Sequence, residues 1–539
     1  MNKNWKRALC LLLALSAASV AGCSGSPSSG SSQPSPSSSP AQNQPSSGST
    51  APASTAQPSG EVPTIRVLMQ ARAEGPISND MPFIKNISEK AGINFNWELA
   101  PSDANQYTEK FNILVASGDI PDLMIHHDMN VLNNGGINHV FEDLLPWVDS
   151  SMPNIQKLFS EREGMKKDIM TDDGHLYYLP RLTAVRTFGM FLVRDDIVKK
   201  EGLSMPTTTD EMYEFLKFFQ TYDLNKNGQQ DEIPWTCRGK FNDLNGFMEP
   251  FGVYIKDAFF EENGEVKYTY SDPRFLEGLR YVSKLYGEGL IDAEYSTNDM
   301  KVWESRLTNE LSAITYDNFV RIDYLNNLIK QVNPEAEFVS IPPLKNQEGK
   351  AVTKEQQNKY GKGTSVSAKS QYKEQIIKFL DWIHSEEGHI ATNFGIEGET
   401  FVREGDTFKY TDLVMKDPDN AGMSKLILLG FRDMWPYRSD IAYENAMNSD
   451  NQNTQRDNYE QYVVGDKWPT TLTFTEEERG IINTTYQEVK TYTDEMINQY
   501  VMGIESTESF DEYLNTLEKL GLPEVLKVQQ AAYDRYRAR

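Results

Sequence analysis

Between Lys110 and Ile125 the apolar pattern changes period. Phe111, Leu114 and Val115 recur at helical spacing and predict one buried helix face. Gly118 takes positive φ at no steric cost and ends the helix. Pro121 imposes an extended approach, and Leu123–Met124–Ile125 reads as a short strand buried on both faces. Upstream, Thr64–Gln70 is β-branched and apolar, Phe83–Ala91 fits a short helix, and Ile93–Leu99 alternates like a strand. Strand, helix, strand, helix, strand predicts an α/β fold with a parallel sheet and right-handed crossovers. Ligands of such sheets lie beyond the carboxyl ends of the strands. The loop after Ile125, with His127 and Asp128, is therefore placed at a binding site.

The pattern continues in the same style. Phe188–Arg194 is a strong strand, and Thr208 and Glu211 have capping-box spacing ahead of a helix that buries Phe215, Phe218 and Phe219. Ser271-Asp272-Pro273 opens another helix whose stripe is Phe275, Leu279, Val282 and Tyr286. Leu311–Tyr316, Phe338–Pro343 and Thr364–Ala368 read as strands, Lys373–His384 as an amphipathic helix, and the chain from Thr475 as helix-rich. No fixed-period repeat is visible, which sets aside solenoids and propellers.

The first sixty residues follow a different logic. Lys3, Lys6 and Arg7 precede an apolar run, Leu9–Val20, too short to span a bilayer as a mature helix. It ends in Val20-Ala21-Gly22-Cys23, which resembles a bacterial lipobox with Cys23 as the lipidated residue; an ordinary secretory signal is the other reading. Residues 1–22 are thus expected to be removed, and the Ser/Pro-rich stretch 23–60 to be a disordered tether. Acyl chains at Cys23 would hold the protein at a membrane without a transmembrane helix. Cys237 is then left without a disulfide partner. A net charge of −25 argues against nucleic acid and anionic lipid headgroups as partners.

Ala116-Ser117-Gly118-Asp119-Ile120-Pro121-Asp122 followed by Leu-Met-Ile resembles a signature of the extracellular solute-binding proteins of ABC importers, the maltose-binding-like family. Asp173–Pro180 (DGHLYYLP), the phrase Tyr286–Asp292 (YGEGLID) and the glycine-flanked turn Asn393–Thr400 (NFGIEGET) resemble further elements of that family and its lipoprotein branch. The resemblance covers about residues 62–530. It implies a two-lobed periplasmic-binding-protein-like fold of type II, with a hinge and an interlobe cleft. Residues 62–187 plus 315–388 would form one lobe and 188–314 plus 389–539 the other, with about three crossings between them. It also implies a monomer at the outer face of a cytoplasmic membrane, in a Gram-positive cell. There it would capture a solute by lobe closure and hand it to the permease subunits of an ABC transporter.

Asp223-Leu-Asn225-Lys-Asn227-Gly228-Gln229 places oxygen side chains at positions 1, 3 and 5 and glycine at 6, as in the front of an EF-hand loop. Position 12 is Pro234, so the bidentate glutamate is missing. Asp231 and Glu232 would close the shell instead, as the similar calcium site of alginate-oligosaccharide-binding proteins implies. A structural Ca²⁺ is expected on Asp223, Asn225, Asn227, Gln229, Asp231 and Glu232; a solvated polar turn is the alternative.

Aromatic residues supply the other signal, because a flat ring covers the apolar face of a sugar while polar groups serve its rim. Trp435, in a loop with Arg438, is the first stacking candidate, followed by Trp303 and by Tyr316 with Asn318. Asp128, His127 and Glu397 complete the expected ligand set. No catalytic motif is present: neither G-x-S-x-G, nor HExxH, nor a phosphate loop. The expectation is a non-enzymatic binder of an oligosaccharide. A peptide-binding lipoprotein, a surface glycoside hydrolase or lyase, and a surface protein that senses or adheres are the rival readings.

Overall fold

A computed structural model describes residues 62–539 except 72–74, 163, 184–188, 355–359, 418–421, 432–435, 466–467 and 470. Trp435, Cys23 and the signal and tether segments lie outside the described residues.

Nine strands build two main sheets: β1 Thr64–Gln70, β2 Asn94–Ala100, β3 Leu123–His126, β4 Leu179–Leu182 and β5 Gly189–Arg194, then β6 Trp235–Thr236, β7 Ile314–Asn318, β8 Phe338–Ser340 and β9 Tyr360–Val366. The first sheet has the order β2-β1-β3-β9-β4, with β9 antiparallel to both neighbours and the β1 pairings parallel. The second has the order β8-β5-β7-β6. Each sheet sits among helices over its own apolar core, one built around Val67, Leu68, Leu123 and Phe379, the other around Phe191, Phe247, Leu279 and Val525. This is the α/β, two-bodied arrangement expected.

Local chemistry explains the junctions. Gly118 has φ +75° where the helix Ala104–Ser117 stops. Asp122 then accepts the N–H of Arg66 at 2.9 Å and the hydroxyl of Ser370 at 2.6 Å, and Asp119 pairs with the Arg66 guanidinium at 2.8 Å. The acidic signature thus ties the amino end of β3 to β1. Thr208 caps its helix as expected, accepting from the N–H of Glu211 at 3.2 Å. The capping box is not completed, because the Glu211 carboxylate turns to the N–H and hydroxyl of Thr207.

Core membership departs from the expected division in two places. β7 does not lead back to the first sheet; it is held between β5 and β6, with Gly189 opposite Asn318 and Ile314 opposite Trp235. β8 pairs with β5, so Phe338–Ser340 also belongs to the second sheet. The chain returns only between Lys354 and Tyr360. Residues beyond 389 do not join the second core at once: Phe394, Phe401, Tyr410, Leu426 and Tyr437 pack in the first. Apolar side chains decide this, since Phe394 lies against Phe401, Phe408 and Tyr443.

The helix Leu522–Ala538 belongs to the second core through Val525, Ala532 and Tyr533, yet its end grips the first. Arg535 and Arg539 both bind the Asp172 carboxylate, and Tyr536 and Tyr360 both donate to Asp168, the former at 2.5 Å and the latter at 2.6 Å. These charge-assisted bonds join the two bodies, and Asp172 is only about a quarter exposed. Asp172→Ala is expected to lower stability by about 1–2 kcal/mol, read from urea unfolding, as a partly screened pair should. An unchanged midpoint would show that the clasp contributes nothing.

Candidate functional site

β4 ends at Leu182 and β5 begins at Gly189, so the intervening chain spans at most about 25 Å. The carboxyl edge of the first sheet is therefore tethered to the edge of the second that carries Gly189, Asn318 and Asp317. Polar groups gather at both edges.

On the first sheet, Gln70 ends β1 and accepts from Lys362 of β9 at 3.0 Å. His126 ends β3 and is buried; burial and the neighbouring His127 push its pKa down to about 4, so it is neutral at physiological pH. His127 is exposed and stacks on His126, centroids 4.4 Å apart. Asp128 is also exposed and caps the helix Met129–Ile137 through the N–H of Asn130. Both follow the carboxyl end of β3 directly.

On the second sheet, Arg238 follows β6 and forms a two-point pair with Asp317, at 2.6 and 2.9 Å. Its guanidinium lies 5.6 Å from the ring centre of Trp303. Asn318 is half-buried and accepts from the N–H of Val320. Asp243 is nearby and accepts from the N–H of Gly239; burial and the charge of Asp317 raise its carboxyl to about 6. The pairing of Arg238 with Asp317 carried no signal in a single sequence, since neither residue belongs to a local motif.

Two expected stacking rings are corrected. Trp303 is fully buried and donates its indole N–H to Thr315 at 2.8 Å. Tyr316 is 1% exposed, set against Phe191, and a Cβ on Gly189 or Gly246 would overlap its ring. Neither offers a free face to a solute. A strand end and a tryptophan on a charged helix look alike in sequence whether they face solvent or core. Glu397 also stands apart from the strand edges. It pairs with Arg403 at 3.4 Å in a shallow groove of the first body, with Asn86, Lys90 and Glu387. Gly395 serves local packing, since a Cβ there would strike Phe83 and Thr400, and Gly398 takes φ +83°. Arg438 is half-buried, beside the end of β4, where Leu182 donates its N–H to Tyr437. A ring that sequence reasoning did not single out, Trp468, lines a groove of about 250 Å³ on the second body with Tyr254, Phe260 and Lys354.

The 223–232 loop has the donor chemistry of a calcium site. Asp223 accepts the N–H groups of Asn227 and Gly228 at 3.0 and 2.9 Å, Asn225 accepts that of Asn227, and Asn227 that of Gln229. Lys226 and Gly228 take φ of +58° and +74°, which folds the loop back on itself. The Asp231 carboxylate receives the amides of Asn225 and Asn227. These hard oxygens suit Ca²⁺. The shell is not gathered, however: Glu232 turns to the N–H of Leu224, and no three acidic, histidine or cysteine groups converge among the described residues.

Cys237 is buried, and desolvation with the charge of Asp243 raises its thiol pKa, so it is inert. No helix among the described residues is long and apolar enough to cross a membrane.

Comparison with known proteins gives a coherent picture. One curated relative is the fructooligosaccharide ABC transporter substrate-binding protein FusA of Streptococcus pneumoniae. It is 31% identical over 256 residues, which is 43% of this chain and 46% of the relative's length. Lipoprotein LipO of Bacillus subtilis is 24% identical over 76% of this chain and 75% of its own. Among solved structures, the alginate-binding protein AlgQ2 without calcium ion superposes with a TM-score of 0.72 at 24% identity, over 88% of this chain and 98% of that one. The family model for bacterial extracellular solute-binding proteins matches residues 76–390. With more than half its length matched, the chain belongs to the bacterial extracellular solute-binding proteins, a family that binds rather than transforms its solutes.

Proposed function

We propose that the protein captures an oligosaccharide at the facing edges of its two sheets and delivers it to an ABC importer. The observation that carries this reading is the pair of polar strand edges, Gln70, His127, Asp128 and Lys362 on the first sheet and Arg238, Asp317 and Asn318 on the second, with β4 and β5 joined by one short segment. A sugar needs such a convergent set of donors and acceptors, and separate bodies can close over it. FusA, AlgQ2 and a Bacillus subtilis protein that binds polygalacturonan and rhamnogalacturonan supply the carbohydrate class. Trp435 and Arg438 complete the ligand set in this reading, with Trp435 as the stacking ring. Cys23 is the lipid anchor that keeps a monomer at the outer face of the membrane.

The 223–232 loop holds Ca²⁺ as a structural staple, with Asp223, Asn225, Asn227, the Gln229 carbonyl, Asp231 and Glu232 as donors. A solved FusA structure is described as an EF-hand mutant. Chelation is expected to lower the thermal midpoint by several degrees, and added calcium to restore it. No response to chelator would leave the loop a plain polar turn.

The experiment for the main reading is thermal unfolding of the purified protein against neutral and acidic oligosaccharides and peptides. A ligand that binds only the folded state raises the midpoint by mass action. A shift confined to one glycan class supports capture and identifies the solute. A shift with peptides alone overturns the carbohydrate assignment.

A further inference from the structure

The chain is strongly acidic, yet near the carboxyl edge of its first sheet two arginines stand without an ion pair among the described residues. Residues 437–439 run alongside β4: Leu182 donates to Tyr437 O and accepts from the N–H of Ser439, both at 2.9 Å. This sets Arg438 beside the last residue of β4, and the same residue pairs with Tyr360, the first of β9. Arg162, just past the helix Pro153–Glu161, lies in the same field, under the charges of Arg438, Asp440 and Tyr360. Neither guanidinium makes an ion pair among the described residues, and the buried Nε of Arg438 has no acceptor.

The neighbouring groups are committed elsewhere. Asp440 is bound to His389 at 2.7 Å, while the other ring nitrogen of His389 faces the carbonyl of Arg438 at 3.1 Å. Glu161 is paired with Lys157. His384 is 7% exposed. Burial first, and then the charges of Arg438, His389 and Arg162, push its pKa down to about 3, so it is neutral and adds no charge of its own. A partly desolvated guanidinium without an acceptor is costly, and such groups are kept where a ligand supplies the missing charge. The planar fork of arginine fits a carboxylate at two points, which no hydroxyl of a neutral sugar reproduces.

We infer that Arg162 and Arg438 form a subsite for a carboxylate carried by the solute, so that the captured oligosaccharide is a uronate-bearing one. This rests on the capture reading above and narrows it. The two residues come from separated parts of the chain, the end of the helix Pro153–Glu161 and the segment beside β4, which is why no local motif announced them.

The test is isothermal titration of the purified protein with trimers of polygalacturonate and of alginate, neutral fructo- and manno-trimers, and inorganic phosphate. At least one uronate trimer is expected to bind at least tenfold tighter than either neutral trimer, with phosphate bound weakly. R162Q and R438Q should each weaken the uronate at least tenfold while the thermal midpoint without ligand is kept, and R438K should recover part of the loss. Neutral trimers binding as tightly as uronates, with the glutamine variants unaffected, would overturn the subsite and leave capture intact. Phosphate binding as tightly as the trimers would overturn it as a general anion site. No binding of any sugar would sink the inference and the capture reading together.

Discussion

Glu249→Gln is expected to stabilise the protein by about 3–5 kcal/mol at pH 9 and by less than about 1 kcal/mol at pH 5. Glu249 is 2% exposed, accepting from Asn245 at 2.7 Å and from Thr353 at 2.8 Å. Desolvation raises its pKa to about 8, against the weaker opposing pull of those two bonds. A group whose pKa is higher folded than unfolded contributes its full stability below the unfolded value, near 4.5, and loses it as pH rises through about 8. Ionising Glu249 in the fold is therefore what alkaline pH costs, and glutamine removes the cost while keeping an acceptor for Asn245 and Thr353. Urea unfolding from pH 5 to 9 checks this: the wild-type curve should fall and the variant's should stay comparatively flat. Parallel curves would mean that the carboxylate is ionised without penalty. Thr353 stands at the start of the segment by which the chain returns to the first sheet.

Arg194→Met is expected to lower stability by about 3–5 kcal/mol at pH 7. Arg194 is completely buried at the end of β5, where it binds Asp196 at 2.7 and 2.8 Å and Glu310 at 2.9 Å. Removing it strands two mostly buried carboxylates, and an uncompensated buried charge costs far more than the pair contributes. The compensated variant R194M/D196N/E310Q should recover most of the loss, which separates stranded charge from lost packing. A loss below about 1 kcal/mol for the single variant would show that water reaches the two acids.

Much of the fold was legible because period and punctuation agree. The helix, Gly118, Pro121 and buried strand from Lys110 to Ile125 appear as read, and Asp272 caps its helix through the N–H of Arg274. Partner choice was not legible. β7 and β8 are apolar strands that either sheet could have accepted; only their pairing with β5 decides. Phe394 and Phe401 carry no mark of which core they enter. The place of His127 and Asp128 just past β3 was readable because the strand Leu123–Ile125 is a clear apolar run. Trp303 and Tyr316 misled because their burial depends on Thr315, Phe191 and two glycines distant in sequence. Arg238 with Asp317, and Arg162 with Arg438, needed the fold to bring them together.

The most direct test of solute capture is small-angle X-ray scattering of the purified protein with and without the oligosaccharide that gives the largest thermal shift. Saturating ligand is expected to reduce the radius of gyration, with the change absent for a sugar that causes no thermal shift, because the two bodies close over bound solute. Tight binding with an unchanged radius of gyration would contradict capture by closure.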